Sequence, residues 1–334
     1  MNTFTNSSLS VARSCLRKYD LKYNGRLGLA HREESEALAV GTCWHGIQET
    51  FGREMAAPPP RRDPVAAAVQ YATEHAPNPL WAEKLRRLFV AHAWYWSDHP
   101  LEYVAQEKQF EIEIAGAKVA GVLDGIIKVD GRLGLHEYKT TADSLDAESN
   151  YWTKLRMDTQ VGIYALAMQE LYGSPPEFIL YDVTRKPTIR PKRVLKKEME
   201  RMRREAVGGA TTTYYGEAFD ELAVLQAFEN DEETIAMYGA RLTADIGNEP
   251  SKFFARREVP RTAADFGSLR KDLADQIQLL EQAMLSDNMH RNPNACGDYG
   301  TCEFFGLCSR NVYPMGTEVP DGYVQREKLH PELD

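Results

Sequence analysis

Residues 104–140, VAQEKQFEIEIAGAKVAGVLDGIIKVDGRLGLHEYKT, constrain the fold of this chain more than any other stretch of it. Apolar and β-branched residues run through the stretch in strand-like fashion, interrupted at IAGAK and VDGRLG. Both interruptions contain glycine, and the Asp-Gly pair of the second suits a tight hairpin. The stretch therefore predicts three consecutive strands. Helical spacing precedes it at residues 37–55, 64–76 and 80–98. It resumes afterwards in TKLRMDTQVGIYALAMQELYG, with Gly173 as the expected C-cap. EFILYDVTRK reads as a further strand, and most of the remainder as helix, including a long candidate over 265–290. Helices, three strands, a helix and a strand in that order predict an α/β core, a mixed sheet covered by helices. MAAPPPRRDP (55–64) is a Pro-rich turn or short linker, and GSPPEF (173–178) is a stop between elements. A single domain is expected over 1–334: a core over about 1–190, a helical addition over about 195–290, and a cysteine-rich closing segment over 291–310.

The strands carry an anomaly. Asp124 sits inside the apolar run VLDGII, and Glu137 and Lys139 sit in LHEYKT. A buried charge without a partner is costly. Alternate strand residues share a face, so Glu137 and Lys139 point one way while His136 and Tyr138 point the other. Hairpin pairing can bring Asp124 beside Glu137, and two crowded carboxylates call for a cation between them. A hard divalent ion meets that need. Lys139 can then orient or activate a water, or stabilise charge developing on a phosphate. Metal-assisted phosphodiester hydrolysis is the chemistry this set serves best. Taken alone, a D…E-x-K pattern is more simply a surface strand with a salt bridge, but VLDGII is too apolar for an exposed strand. In GTCWHGIQE, His45 and Glu49 share a helix face one turn apart. His45 is a candidate nitrogen ligand, which suits manganese somewhat better than magnesium, or else a hydrogen-bonded core histidine. Gln160 and Tyr164 share a face in DTQVGIYALAM, Gln160 within reach of a water or phosphate and Tyr164 equally suited to packing.

The order G…H…E, then D, then E-x-K-T, then Q…Y resembles the RecB-like branch of the PD-(D/E)XK nuclease superfamily, over about residues 7–183 and again over 296–308. The resemblance implies a central four-stranded mixed sheet flanked by helices. It implies that His45, Asp124, Glu137 and the Tyr138 backbone carbonyl hold Mg2+ or Mn2+, with Lys139 catalytic and Gln160 supporting.

Composition bears on location and cofactors. The mean hydropathy is −0.48, and no apolar run is long enough for a spanning helix. The first twenty residues lack the apolar core of a secretory signal, so a cytoplasmic protein with no membrane attachment is expected. In a reducing compartment, five cysteines suggest metal or iron–sulfur ligation in place of disulfides. Cys43 reads as a buried thiol near His45. Cys15 together with Cys296, Cys302 and Cys308 supplies four thiolates, enough for a 4Fe-4S cluster or a structural zinc, and would pin one end of the chain to the other. The arrangement is similar to the iron–sulfur nucleases of the same superfamily, the AddB nuclease domain and the CRISPR-associated exonucleases, in which one early and three late cysteines hold a 4Fe-4S cluster. Here Leu16 replaces the proline usual after the first cysteine. The spacing Cys302-x5-Cys308 agrees with that group, whereas Cys296-x5-Cys302 is longer than its common C-x2-C.

The net charge of −9 argues against a uniformly basic surface, yet residues 184–205 hold ten basic residues against three acidic ones. Arg185, Lys186, Arg190, Lys192, Arg193, Lys196 and Lys197 are thus candidate phosphate contacts, or a solvated face with internal ion pairs. Basic residues also crowd KFFARREVPR. Trp152 is a candidate for stacking on an unpaired base, and packing is its alternative. The expectation is a DNA exonuclease acting on ends or single strands in recombination, repair or phage DNA metabolism. No P-loop motif is present, so unwinding would fall to a helicase or recombination partner. A non-catalytic iron–sulfur module that binds DNA or assembles with such a partner is the alternative.

Overall fold

The computed structural model describes residues 2–31, 35–298, 300–314 and 318–333. In chain order the strands are β1 (Thr3–Phe4), β2 (Leu27–Leu29), β3 (Glu102–Ile114), β4 (Ala117–Val129), β5 (Arg132–Thr141), β6 (Phe178–Arg185), β7 (Thr212–Tyr214), β8 (Glu217–Phe219), β9 (Phe254–Glu258) and β10 (Tyr323–Gln325). The α-helices are α1 (Asn6–Ser14), α2 (Leu16–Tyr19), α3 (Glu36–Ala56), α4 (Pro64–His75), α5 (Pro79–Tyr95), α6 (Asn150–Leu155), α7 (Thr159–Tyr172), α8 (Lys196–Glu205), α9 (Glu221–Asn230), α10 (Ile235–Asn248), α11 (Ala263–Leu285) and α12 (Phe305–Ser309).

Turn chemistry builds the sheet. Ala115-Gly116 and Asp130-Gly131 all take positive φ, 52°, 79°, 51° and 79°, the two-residue turn whose twist matches the flanking strands. They fold β3, β4 and β5 into an antiparallel meander. The chain then crosses over through α7 to place β6 parallel to β5, as a parallel neighbour requires. The result is a mixed sheet flanked by helices, as the α/β reading anticipates.

The sheet is larger than the four strands expected. β9 pairs antiparallel with β6 and β1 pairs parallel with β4, making six strands. β9 lies inside KFFARREVPR, so the region after residue 195 is not an all-helical addition. The helix expected from residue 153 is also divided, because Asp158 accepts from the backbone N–H groups of Gln160 and Val161 and starts α7 afresh. Gly173 ends it with φ 77°, the left-handed cap that glycine favours.

Two helical layers sandwich the sheet. On one face α1, α7 and α11 bury Leu9, Val161, Leu166, Leu273 and Ile277 against Leu123, Ile126 and Tyr181. On the other, α3, α4, α5 and α10 bury Trp44, Ile47, Leu88, Phe89 and Leu242 together with Phe254 of β9. Residues 194–240 also contain a small core of their own around Met199, Met202, Tyr214 and Val224. A last cluster packs Leu21 and Leu27 against Phe304 and Leu307, joining the early and late ends of the chain.

Candidate active site

A fork in the sheet makes the site. β4 and β5 pair only as far as Gly125 and His136, and β1 meets β4 only at Lys118 and Val119. Residues 120–124 of β4 are thus left open on that edge, and Ala120, Gly121, Val122 and Asp124 line a cleft of about 650 Å³. Asp124 and Glu137 stand on the two prongs, both buried. The Tyr138 N–H donates to Asp124 Oδ2 at 3.2 Å, so the carboxylate replaces the ladder partner that the divergence removes. α3 lays His45 across the fork, Nδ1 3.3 Å from Asp124 Oδ2 and within hydrogen-bonding range of the Tyr138 carbonyl.

α7 closes the other side. Lys139 Nζ donates to Glu137 Oε1 at 2.6 Å and to Gln160 Oε1 at 3.3 Å, and lies 3.6 Å from Asp158 Oδ2. Gln160 passes the contact on, its Nε2 donating to the Tyr164 hydroxyl at 2.7 Å. Tyr164 therefore both packs, edge-on to Phe110, and points its hydroxyl at the site. Cys43, two residues before His45 on α3, is buried in the core, and burial pushes its thiol up to about 11.

The electrostatics of the fork favour a cation. Burial raises the Asp124 pKa against the pull of Lys139 and the Tyr138 N–H. Burial and then Asp124 raise that of Glu137. Burial lowers that of His45 against the pull of Glu137 and the Tyr138 carbonyl. Among the described residues no three His, Cys, Asp or Glu side chains are already arranged to hold a metal ion. The donor set nevertheless fits magnesium or manganese: two carboxylates, one imidazole and a backbone carbonyl, the carboxylates carrying a penalty that an ion would relieve.

Two residues escaped sequence reasoning. Glu107 faces Asp124 from β3, in a register that runs on from Gln106–Gly125 to Lys108–Leu123, with φ 46°. Burial, Asp124 and Glu49 push its pKa up to about 8. A left-handed glutamate inside a strand is costly and collects at functional sites, and no local pattern in AQEKQF announces it. Asp158 was discoverable: an acid just before an apolar helical run is an N-cap signal.

His136 and Tyr138, on the reverse face, join a buried polar network that stiffens the prongs. Asp182 of β6 lies 2.9 Å from His92 Nε2 of α5 and 3.5 Å from His136 Nε2, and accepts from Arg256 Nε at 2.7 Å. The Tyr138 hydroxyl donates to Gln106 at 2.8 Å.

Cys15, Cys296, Cys302 and Cys308, separated by up to 293 positions in the chain, line one cavity of about 730 Å³, and all are free thiols. The Asn292 N–H points at Cys15 Sγ at 3.3 Å, and Arg17 Nε donates to the Met289 carbonyl at 2.8 Å. Among the described residues no three of these side chains are already arranged to hold a metal ion.

The basic candidates divide. Arg185 ends β6 opposite Thr141, two residues beyond Lys139, and the N–H of the following Lys186 donates to the Thr141 carbonyl. Arg190, Lys192, Lys196 and Lys197 are exposed, whereas Arg193 is paired with Asp231. Two expectations fail. Trp152 is only 8% exposed, its indole N–H donates to the Leu145 carbonyl and Arg257 covers its ring, so no face remains for a base. The arginines of KFFARREVPR are likewise consumed internally, Arg256 by Asp182 and Arg257 by Trp152 and the Leu145 and Ala147 carbonyls.

A mixed sheet that opens into a fork around two carboxylates and a lysine is a nuclease-type centre. The family model of the PD-(D/E)XK nuclease superfamily matches residues 3–309, and the chain belongs to that superfamily. Gene 69 protein of Mycobacterium phage D29 is 34% identical over 104 residues, which span 31% of this chain and 35% of that protein. A crystal structure of a candidate exonuclease from Eubacterium rectale superposes over 96% of this chain and 91% of its own, with 10% identity and a TM-score of 0.47. Among the described residues no helix is long and apolar enough to cross a membrane.

Proposed function

We propose that this chain is a divalent-metal-dependent deoxyribonuclease that degrades DNA from ends or single strands, in recombination, repair or phage DNA metabolism. The observation that carries the reading is the fork itself, where Asp124 and Glu137 are buried beneath His45 with Lys139 between Glu137 and Gln160. His45, Asp124, Glu137 and the Tyr138 carbonyl would hold Mg2+ or Mn2+. When bound, the ion supplies Lewis acidity for the attacking water and for the scissile phosphate. Lys139 stabilises the charge that develops on the phosphoryl oxygens. Gln160, anchored by Tyr164, positions Lys139 and the incoming water. A cleft of about 650 Å³ lies in the small-ligand range, about 300–1,000 Å³, which suits a few nucleotides of one strand and not a duplex. Cys15, Cys296, Cys302 and Cys308 would hold a 4Fe-4S cluster as a structural clasp, and a helicase or recombination protein would deliver the strand.

The deciding assay is cleavage of end-labelled linear and circular DNA, single- and double-stranded, with magnesium or manganese by protein purified without oxygen. Linear single strands are expected to shorten with the wild type. Lys139→Ala should lose about 10²–10³-fold in kcat, the usual cost of one transition-state donor. Intact DNA under every condition with cluster-loaded wild type would overturn the reading in favour of a DNA-holding module.

A further inference from the structure

Tyr71 of α4 lines the catalytic cleft, and none of the chemistry above uses it. The end of its ring stands on α3. Its Cζ and hydroxyl oxygen each lie 2.3 Å from the position that a Cβ on Gly46 would take, so any side chain there would displace the tyrosine. A glycine inside a helix is less stable than an alanine, and here it makes the room that Tyr71 fills. Gly46 directly follows His45, whose Nδ1 lies 3.3 Å from Asp124 Oδ2. The hydroxyl thus stands one residue of α3 away from a candidate metal ligand.

The ring is also held across one face. His75, a turn further along α4, stacks on it with ring centroids 4.0 Å apart and planes 12° apart, and its Nδ1 lies 3.0 Å from the Tyr71 carbonyl. With Gly46 at its end and His75 on its face, the hydroxyl has a fixed place. It is nevertheless idle. Among the described residues it has no hydrogen-bond partner. It is also absent from the sealed polar atoms that lack one, so it opens to the cleft. Glu49, an acid on the same wall, is paired with Arg53.

The two walls of the cleft differ. α3 presents Ala37, Gly41, Thr42 and Gly46, small residues that let another chain run close to the helix. On the other side, Phe110 of β3 and Ile163 and Tyr164 of α7 present apolar surface. A single strand fits with its sugar–phosphate backbone along α3 and its bases towards the apolar wall. The Tyr71 hydroxyl then meets a phosphate oxygen, a charged acceptor for which a hydrogen bond is stronger than for a neutral one.

We propose that Tyr71 is a substrate-binding residue whose hydroxyl donates to the backbone phosphate beside the scissile one, holding the strand along α3. The proposal rests on the nuclease reading above but is tested apart from cleavage. Binding of fluorescein-labelled dodecathymidylate, and of a dodecamer with the same backbone and no bases, is measured by anisotropy in calcium for wild type and Tyr71→Phe. The variant keeps the ring against Gly46 and His75, so its unfolding temperature should match that of the wild type. It should bind both strands about ten-fold more weakly, the worth of one hydrogen bond to a charged acceptor. In manganese the same loss should fall on KM and not on kcat. Wild-type affinity for both strands in Tyr71→Phe overturns the contact and leaves the nuclease reading intact. A loss confined to dodecathymidylate places the hydroxyl on a base and overturns the phosphate contact too. A wild type that binds neither strand also overturns it, and the cleavage assay above decides the nuclease reading separately.

Discussion

Glu107, Asp124, Glu137 and His45 are four protonatable groups about the fork, and their pKa directions have a consequence for metal binding. The three carboxyls are raised, chiefly by burial, Glu107 and Glu137 to about 8 and Asp124 to about 6, so the metal-free protein holds protons on the glutamates at neutral pH. An ion must displace them. Manganese affinity should therefore rise as pH increases through the raised values and level off above them. The gain in unfolding temperature on adding manganese should grow in the same direction, because ligand stabilisation follows affinity. Calorimetry in two buffers of different ionisation heat should detect proton release on binding. Glu107→Gln should release fewer protons and bind manganese more weakly. Equal release by variant and wild type would remove Glu107 from the site.

At the level of elements, two acids hold the geometry in different ways. Asp158 caps α7 and faces Lys139 with its other oxygen. Asp158→Ala should cost about 1 kcal/mol of stability as a lost cap and, in addition, lower activity by freeing Lys139; a loss of stability alone would make it a cap only. Asp182 knits α5, β5, β6 and β9. Burial by itself would raise its pKa, but Arg256, His92 and His136 outweigh that and hold it well below the usual range. Its contribution is present at neutral pH, above the unfolded pKa of about 3.9, and is lost as pH falls towards the native value. Asp182→Ala should destabilise by about 3–5 kcal/mol, since three cationic or polar partners are left buried. Chemical denaturation at neutral pH measures it.

For the whole molecule, the clasp matters most. Segments near residues 15 and 300 meet around the four thiols and the Leu21–Phe304 cluster. The same early segment leads directly from α1, whose first turn borders the cleft. Cys15→Ser and Cys308→Ser, purified without oxygen, should each lose brown colour and iron and lower the unfolding temperature. Retention of full iron content by both would exclude a cluster bound by these four residues.

Much of this was legible in the sequence for a local reason. Strand alternation and Asp-Gly turn chemistry act between neighbours, so the 104–140 meander, the shared face of Glu137 and Lys139 and the Gly173 cap follow from the residues themselves. The tertiary structure decided what depends on distant partners. Arg256 turned from a candidate DNA contact into the counter-ion of Asp182, 74 positions away. Trp152 disappeared beneath Arg257. Glu107 entered the site only when β3 paired with β4 and set it opposite Asp124. Backbone preference is written residue by residue, whereas burial and charge pairing are properties of the packed chain.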